Sequence, residues 1–395
     1  MRWPAGLDPE DFLSGYWQQQ PLRLDSALPD VPDLLDGDDL AGLACEDEVE
    51  SRLVITQPDG TWEVRHGPFR ETDFAGLGER GWTLLVQDVD KHIAEVAAVL
   101  ESFAFLPRWR LDDVMVSYAA PGGSVGPHID SYDVFLLQGI GTRHWSIDPA
   151  PADVSLESGV PLRLLRNFSP RTRFDLATGD VLYLPPGVAH HGVADVPGMT
   201  WSIGLRAPSA GDLLRELARI LDEEPATARY ADPGLSPDEV AGAGLGQPAV
   251  RRALHLLGTS QQVTEDVAAR CLGCAVTRVK TWLRPEASTA VPDPEEVLAR
   301  LTGGARCQPH PWSRFAWFRD RAGAWLFADG EAWRLRDADG EFAPALAAAA
   351  GFGLRQLGGP DRAGALAAVI SALIGQGSLE WVDDDRETEA LEDQT

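Results

Sequence analysis

The sequence predicts an α+β protein built around a β barrel or double-sheet sandwich, with helical segments following it. Three observations lead there. Between about 112 and 206, short runs rich in β-branched and aromatic residues recur with Gly and Pro between them. After Pro208, leucines and an isoleucine fall three to four residues apart with charges between, the period of an amphipathic helix. A length of 395 residues, 44% of them hydrophobic, suffices for two or three domains with their own cores.

Taken in order, a helix is expected after Asp8 and an extended run over 52–55, and an Asp59-Gly60 turn joins that run to Trp62-Glu63-Val64 as a hairpin. Strands are expected at 114–118, 134–138, 144–147, 181–184 and 200–205. The amphipathic helix covers 212–221, and further helices run to about 283 with Pro- and Gly-rich joints near 225–248. A linker with Pro285, Pro292 and Pro294 precedes a last unit. There a helix (295–302), strands 324–328 and 332–335 joined at Asp329-Gly330, helices 343–350 and 361–375 and a strand at 379–382 are compatible with a winged-helix arrangement. The domain reading is 1–210, 211–288 and 289–395.

Composition narrows the function. With 61 acidic and 34 basic residues the chain carries −27, a field that repels a phosphate backbone and attracts a basic protein. The last unit shares that sign, with 18 acidic residues against 10 arginines from 291 onward, so direct nucleic-acid binding is not expected despite the winged-helix pattern. Only Lys91 and Lys280 are lysines, which makes habitat an equal source of the charge. Four cysteines are too few for a disulfide framework, and Cys271-Leu272-Gly273-Cys274 has no second pair or nearby histidine to complete a zinc site, so packing is its expected role. The amino terminus lacks the apolar core of a signal peptide, and no apolar run reaches the roughly 20 residues of a membrane span, so a soluble cytoplasmic protein is expected.

The chemistry concentrates in two segments. In Pro121-Gly122-Gly123-Ser124-Val125-Gly126-Pro127-His128-Ile129-Asp130-Ser131-Tyr132-Asp133, a strand would turn His128 and Asp130 to one face, because residues two apart share a side. Sixty residues on, an apolar strand and the Pro185-Pro186-Gly187 break deliver His190 and His191. His128, Asp130 and one of that pair make two imidazoles and a carboxylate, the facial set that leaves iron(II) open positions for a co-substrate and dioxygen. Between the two segments, Arg143 begins a strand and offers a planar fork suited to the carboxylate of a dicarboxylic co-substrate; Ser117 can add a hydroxyl to it. Asp133 is read as structural, with a contact to a substrate guanidinium through a local bulge as the other option. His66 and Trp109 are read as partly buried fold determinants.

These residues resemble the cupin-fold JmjC ribosomal oxygenases, and among them the bacterial ribosomal-protein arginine hydroxylases. Beyond the segments above, the likeness is carried by Tyr16-Trp17-Gln18, Ser51-Arg52-Leu53-Val54, His66-Gly67-Pro68-Phe69, Gly81-Trp82, Leu85-Val86-Gln87, Trp109-Arg110-Leu111-Asp112-Asp113, Gln138-Gly139 and Gly204-Leu205-Arg206-Ala207-Pro208. It covers about 10–220 and is thin beyond. It implies a double-stranded β-helix (the cupin or JmjC jelly roll) and a helical dimerisation segment, which the winged-helix-like carboxy-terminal domain of the pattern above would follow. It also implies iron(II) on the catalytic residues His128, Asp130 and His190, the last because the family's ligand follows the Pro-Pro-Gly-x-x run. The co-substrates would be 2-oxoglutarate, its far carboxylate on Arg143 and Ser117 with Ser202 as an addition, and O2. The implied reaction hydroxylates the β-carbon of an arginine in a basic protein of the large ribosomal subunit, by a homodimer. Ser124, Ala189 and His191 depart from the pattern where glycine, proline and an acid are usual. The rival expectations are hydroxylation of a different side chain, Asn or His, and a silent metal-binding cupin that only binds a peptide.

Overall fold

Alternation sorts the central sheet into two faces. Along 111–119, Val114 and Val116 turn into a large apolar cluster, so Met115 and Ser117 turn the other way. The structure, a computed structural model, describes residues 3–31, 34–57, 59–223, 250, 251, 255, 263–288 and 290–382. Two compact units divide the chain, Met1–Ala207 and Pro208–Thr395.

The first unit holds twelve strands: β1 Leu22–Leu24, β2 Ser51–Thr56, β3 Trp62–His66, β4 Trp82–Val86, β5 Leu111–Ala119, β6 His128–Ile129, β7 Val134–Ile140, β8 Thr142–Asp148, β9 Thr172–Ala177, β10 Val181–Leu184, β11 Ala189–Ala194 and β12 Gly198–Leu205. One sheet runs in the order β1-β10-β7-β12-β5-β4-β2-β3 and a second in the order β6-β11-β8-β9. Val134, Leu136, Leu182 and Leu184 of the large sheet meet Trp145, Ile147 and Leu176 of the small one in an apolar cluster, so the sheets face each other and enclose a cup. This is the double-sheet option of the sequence reading and matches the jelly roll that the resemblance implies.

The outer face of the large sheet is covered by short helices: α1 Pro9–Gly15, α2 Gly37–Leu43, α3 Glu71–Ala75, α4 Val89–His92 and α5 Ala94–Val99. Asp8 caps α1 by accepting from the Glu10 and Asp11 amides. Phe12, which α1 delivers inward, meets Tyr183 at 4.9 Å, and Phe103 meets Phe135 at 4.8 Å. Trp201 belongs to the same apolar cluster and is fully buried. The expected hairpin forms as β2 and β3, but His66 at its end is exposed, because β3 is the edge of the sheet and nothing covers it there. The expected partial burial of His66 is thus corrected.

In the second unit α6 Ala210–Glu223 pairs with α7 Glu265–Thr277 through Leu217, Ile220 and Cys271. The expected joints near 225–248 lie outside the described residues. Further on come α8 Pro294–Thr302, β13 Arg306–Pro309, β14 Phe315–Asp320, β15 Gly323–Ala328, β16 Glu331–Arg336, α9 Ala343–Leu346, α10 Pro360–Gly375 and β17 Leu379–Val382. The β15–β16 turn forms at Asp329 and Gly330, both at positive φ, where glycine and aspartate are best tolerated. Cys271 and Cys274 are free, buried thiols on α7, in keeping with a packing role. Among the described residues no helix is long and apolar enough to cross a membrane.

Candidate metal centre and active site

His128 and His190 sit directly opposite one another on the antiparallel pair β6 and β11, which brings their ring centroids to 4.2 Å. Asp130 follows β6 by one residue and faces both rings, with its Oδ2 at 4.0 Å from His128 Nε2 and 3.6 Å from His190 Nε2. Each residue offers one ligand atom, and the three atoms lie within 4.8 Å of one another, a spacing a single cation can span. The backbone prepares both rings for that role. His128 Nδ1 donates to the Gly126 carbonyl at 2.9 Å and His190 Nδ1 to the Val188 carbonyl at 3.0 Å, which leaves the Nε2 atoms as acceptors aimed at the centre. Burial, reinforced by the His128 charge, pulls His190 down to about 3, so this ring is neutral and able to ligate at physiological pH. Burial raises the Asp130 carboxyl, while the charges of His128 and Arg52 and a hydrogen bond from Tyr132 act the other way.

Arg143 shares the inner face with His190. In the β11–β8 ladder His190 opposes Ile147, Gly192 opposes Trp145 and Ala194 opposes Arg143, and residues two apart project together. Its guanidinium is buried, and no hydrogen bond or ion pair from it to another described residue is present; its Cζ lies 5.7 Å from the centre of the Trp145 ring. Burial alone lowers it to about 10, so it stays cationic at neutral pH. A buried cation without a partner is costly, and an anionic ligand group would remove that cost. Ser117 lies on the opposite wall, buried, its hydroxyl donating to the Thr200 carbonyl at a long 3.3 Å. Ser202 shares that wall, two residues beyond Thr200 on β12.

Other residues that the sequence brings into question separate from the centre. His191, next to the ligand, faces away against Phe168, and His144 projects from the outer face to Asp175 at 2.6 Å. Asp133 is fully buried and accepts from Tyr183 Oη, Gln18 Nε2 and Arg110 at 2.6, 2.9 and 2.7 Å. The carboxylate is fully buried and held by three donors of its own chain, so the structural reading of Asp133 holds and a substrate guanidinium does not reach it. Two residues at the mouth carried no role in the spacing argument. Tyr132 is 41% exposed and lies beside Asp130, and burial together with the charges of Asp130 and Asp113 drives its ionisation upward. Arg52 reaches the same neighbourhood from β2. The i, i+2 rule that joins His128 to Asp130 also reaches Tyr132, a signal present in the sequence.

The JmjC domain family matches residues 98–213, which hold all three ligand residues together with Ser117 and Arg143. The chain is 41% identical over 241 residues to the ribosomal protein uL16 3-hydroxylase of Escherichia coli (strain K12), covering 60% of this chain and 63% of that one. It is 37% identical over 218 residues to a probable ribosomal oxygenase of Haemophilus influenzae, covering 55% and 54%. The matched stretch thus spans less than two thirds of either curated relative. Solved structures extend the likeness to 96–97% of the chain. YcfD, a ribosomal oxygenase from Escherichia coli in complex with cobalt and 2-oxoglutarate, superposes with a TM-score of 0.78 at 31% identity, over 96% of this chain and 99% of that one. The chain belongs to the JmjC ribosomal oxygenase family. A set of two imidazoles and a carboxylate, beside an unpaired buried arginine, fits the iron(II) and 2-oxoglutarate of a JmjC oxygenase.

Proposed function

We propose that this JmjC oxygenase is an iron(II)- and 2-oxoglutarate-dependent dioxygenase that hydroxylates the β-carbon of an arginine in a large-subunit ribosomal protein. The observation that carries the reading is the convergence of His128, Asp130 and His190 on the inner face that also bears Arg143. Bound iron with 2-oxoglutarate supplies the oxidation, in which dioxygen turns the co-substrate into succinate and carbon dioxide and leaves one oxygen atom on the substrate carbon.

The remaining work belongs to the chain. His128, Asp130 and His190 would hold the metal, with the two histidine tautomers fixed by the Gly126 and Val188 carbonyls. Arg143 and Ser117 would take the far carboxylate of 2-oxoglutarate. Trp145, Ile147, Leu136 and Leu184 keep water from the inner end of the cup. At the mouth, Tyr132 lies within electrostatic reach of Asp112 and Asp113, which favours an entering cation. The substrate of the Escherichia coli relative, ribosomal protein uL16, and the net charge of −27 support a basic ribosomal partner. A homodimer through 211–288, a winged-helix-like 289–395 without nucleic-acid contacts and a cytoplasmic setting complete the proposal; Leu214, left exposed on α6, supports the first, the acidic balance the second and the ribosomal substrate of the relative the third.

The test incubates the iron-loaded protein with 2-oxoglutarate and arginine peptides from large-subunit ribosomal proteins. A peptide-stimulated release of succinate and a gain of one oxygen on the arginine β-carbon are expected, both lost in His128→Ala. Succinate release indifferent to every peptide, with no mass gain, would overturn the reading.

A further inference from the structure

Arg52 is the second inward-facing arginine of the cup, and neither metal nor co-substrate binding gives it a task. In the sheet, Arg52 opposes Leu85, Leu85 opposes Ser117, and Ser117 opposes Thr200, so Arg52 shares the inner face of the large sheet while its neighbour Leu53 enters the outer core. It stands near the open side, in register with the exposed His66 of the edge strand β3. Its charge is felt by both Asp130 and Tyr132, yet no described carboxylate comes within ion-pair range of it. Its Nε is buried with no hydrogen-bond partner. Four other arginines of this unit are paired: Arg110 with Asp133, Arg206 with Asp112, Arg23 with Asp180 and Arg171 with Asp148. An unpaired fork of donors beside the mouth of an acidic protein calls for an acceptor that arrives with a ligand.

Charge narrows what that acceptor is. A substrate guanidinium would be repelled, and the far carboxylate of the co-substrate already has Arg143 and Ser117 on deeper strands. The substrate's peptide carbonyls remain: neutral, oxygen-bearing and necessarily close to the mouth while one side chain reaches inward. Resting on the substrate reading above, we infer that Arg52 is a substrate-binding residue whose guanidinium donates to main-chain carbonyl oxygens of the bound peptide. It thereby fixes the register of the chain, and so which carbon of the target side chain stands before the metal.

The experiment measures three affinities in Arg52→Met, Arg52→Gln and Arg52→Lys. These are a fluorescent arginine peptide on protein loaded with manganese and 2-oxoglutarate, manganese alone, and 2-oxoglutarate on the manganese-loaded protein. Arg52→Met and Arg52→Gln should weaken the peptide by about tenfold to a hundredfold, the worth of a hydrogen bond to a charged donor. Arg52→Lys should recover part of that loss, and metal and co-substrate binding should stay within about twofold, the clamp being separate from both sites. Arg52→Gln is the control should the apolar variant fold poorly. Unchanged peptide affinity in both neutral variants overturns the clamp. Weakened manganese binding with unchanged peptide affinity overturns it too, and makes Arg52 a positioning residue for Asp130. If wild-type protein binds no arginine peptide at all, the substrate reading fails and the clamp falls with it; wild-type binding that Arg52→Met leaves intact sinks the clamp alone.

Discussion

Arg143 is held where a cation is unwelcome, and the cost of that position separates stability from function. Arg143→Met keeps much of the side-chain volume and removes an unpaired buried charge, so the protein free of 2-oxoglutarate should become more stable by about 1–3 kcal/mol. The same variant should raise the 2-oxoglutarate requirement steeply. Chemical denaturation and co-substrate titration read the two effects, and an unchanged requirement would mean that another residue takes the carboxylate. Asp133 behaves oppositely. Its three donors and full burial predict that Asp133→Ala, which strands Arg110, costs about 3–5 kcal/mol by urea titration. His144 marks the contrast with a buried group. Its hydrogen bond to Asp175 lifts the ring above the usual histidine range, so the pair stabilises the protein at pH below about 6.5 and the contribution fades as pH rises past the raised value. With the side chain half exposed, solvent screening leaves it within about 0.5 kcal/mol, and His144→Gln should leave turnover unchanged.

The glycine-rich turn 121–127 shows how an element sets a ligand. A Cβ on Gly123 would sit 2.2 Å from the Trp82 carbonyl and 2.8 Å from the Ala120 carbonyl, backbone atoms that cannot rotate away. Ser124, which departs from the family's glycine, accepts from the Gly126 amide at 3.0 Å and so pins the turn whose carbonyl orients His128. Gly123→Ala should therefore cost about 1–3 kcal/mol by overpacking and weaken manganese binding, whereas Ser124→Gly should loosen the turn with the fold kept. Calorimetry on both variants checks this; a Gly123→Ala protein with wild-type metal affinity would detach the turn from the centre. Elements with local punctuation were legible in sequence: β2, β7, β10 and β12 are apolar runs bounded by turns, and α1 announces itself at Asp8. Others had no such signal. Three-residue β1 is too short for periodicity, and β9 is a largely exposed edge strand held by its pairing with β8 rather than by its own pattern. The same divide runs through the site. His128 and Asp130 share a face by local geometry, but the register that seats His190 against His128 and turns Arg52 inward is fixed by strands far apart in the chain.

At the scale of the molecule, the charge of −27 acts on folding and on encounter in opposite senses. Like charges repel more when the chain is compact, so salt that screens them should raise the melting temperature. A basic peptide, by contrast, is drawn in by that unscreened field, which at about 0.01 M salt reaches roughly 30 Å and at about 1 M only roughly 3 Å. Association of an arginine-rich ribosomal peptide should therefore slow at least about tenfold between those limits, with the dissociation rate and the turnover of bound peptide changing little. Stopped-flow fluorescence at a series of salt concentrations, run beside thermal melts of the same samples, tests both halves. Salt that stabilises the fold while leaving association untouched would assign the acidic surface to solubility alone and leave recognition to the cup and its mouth.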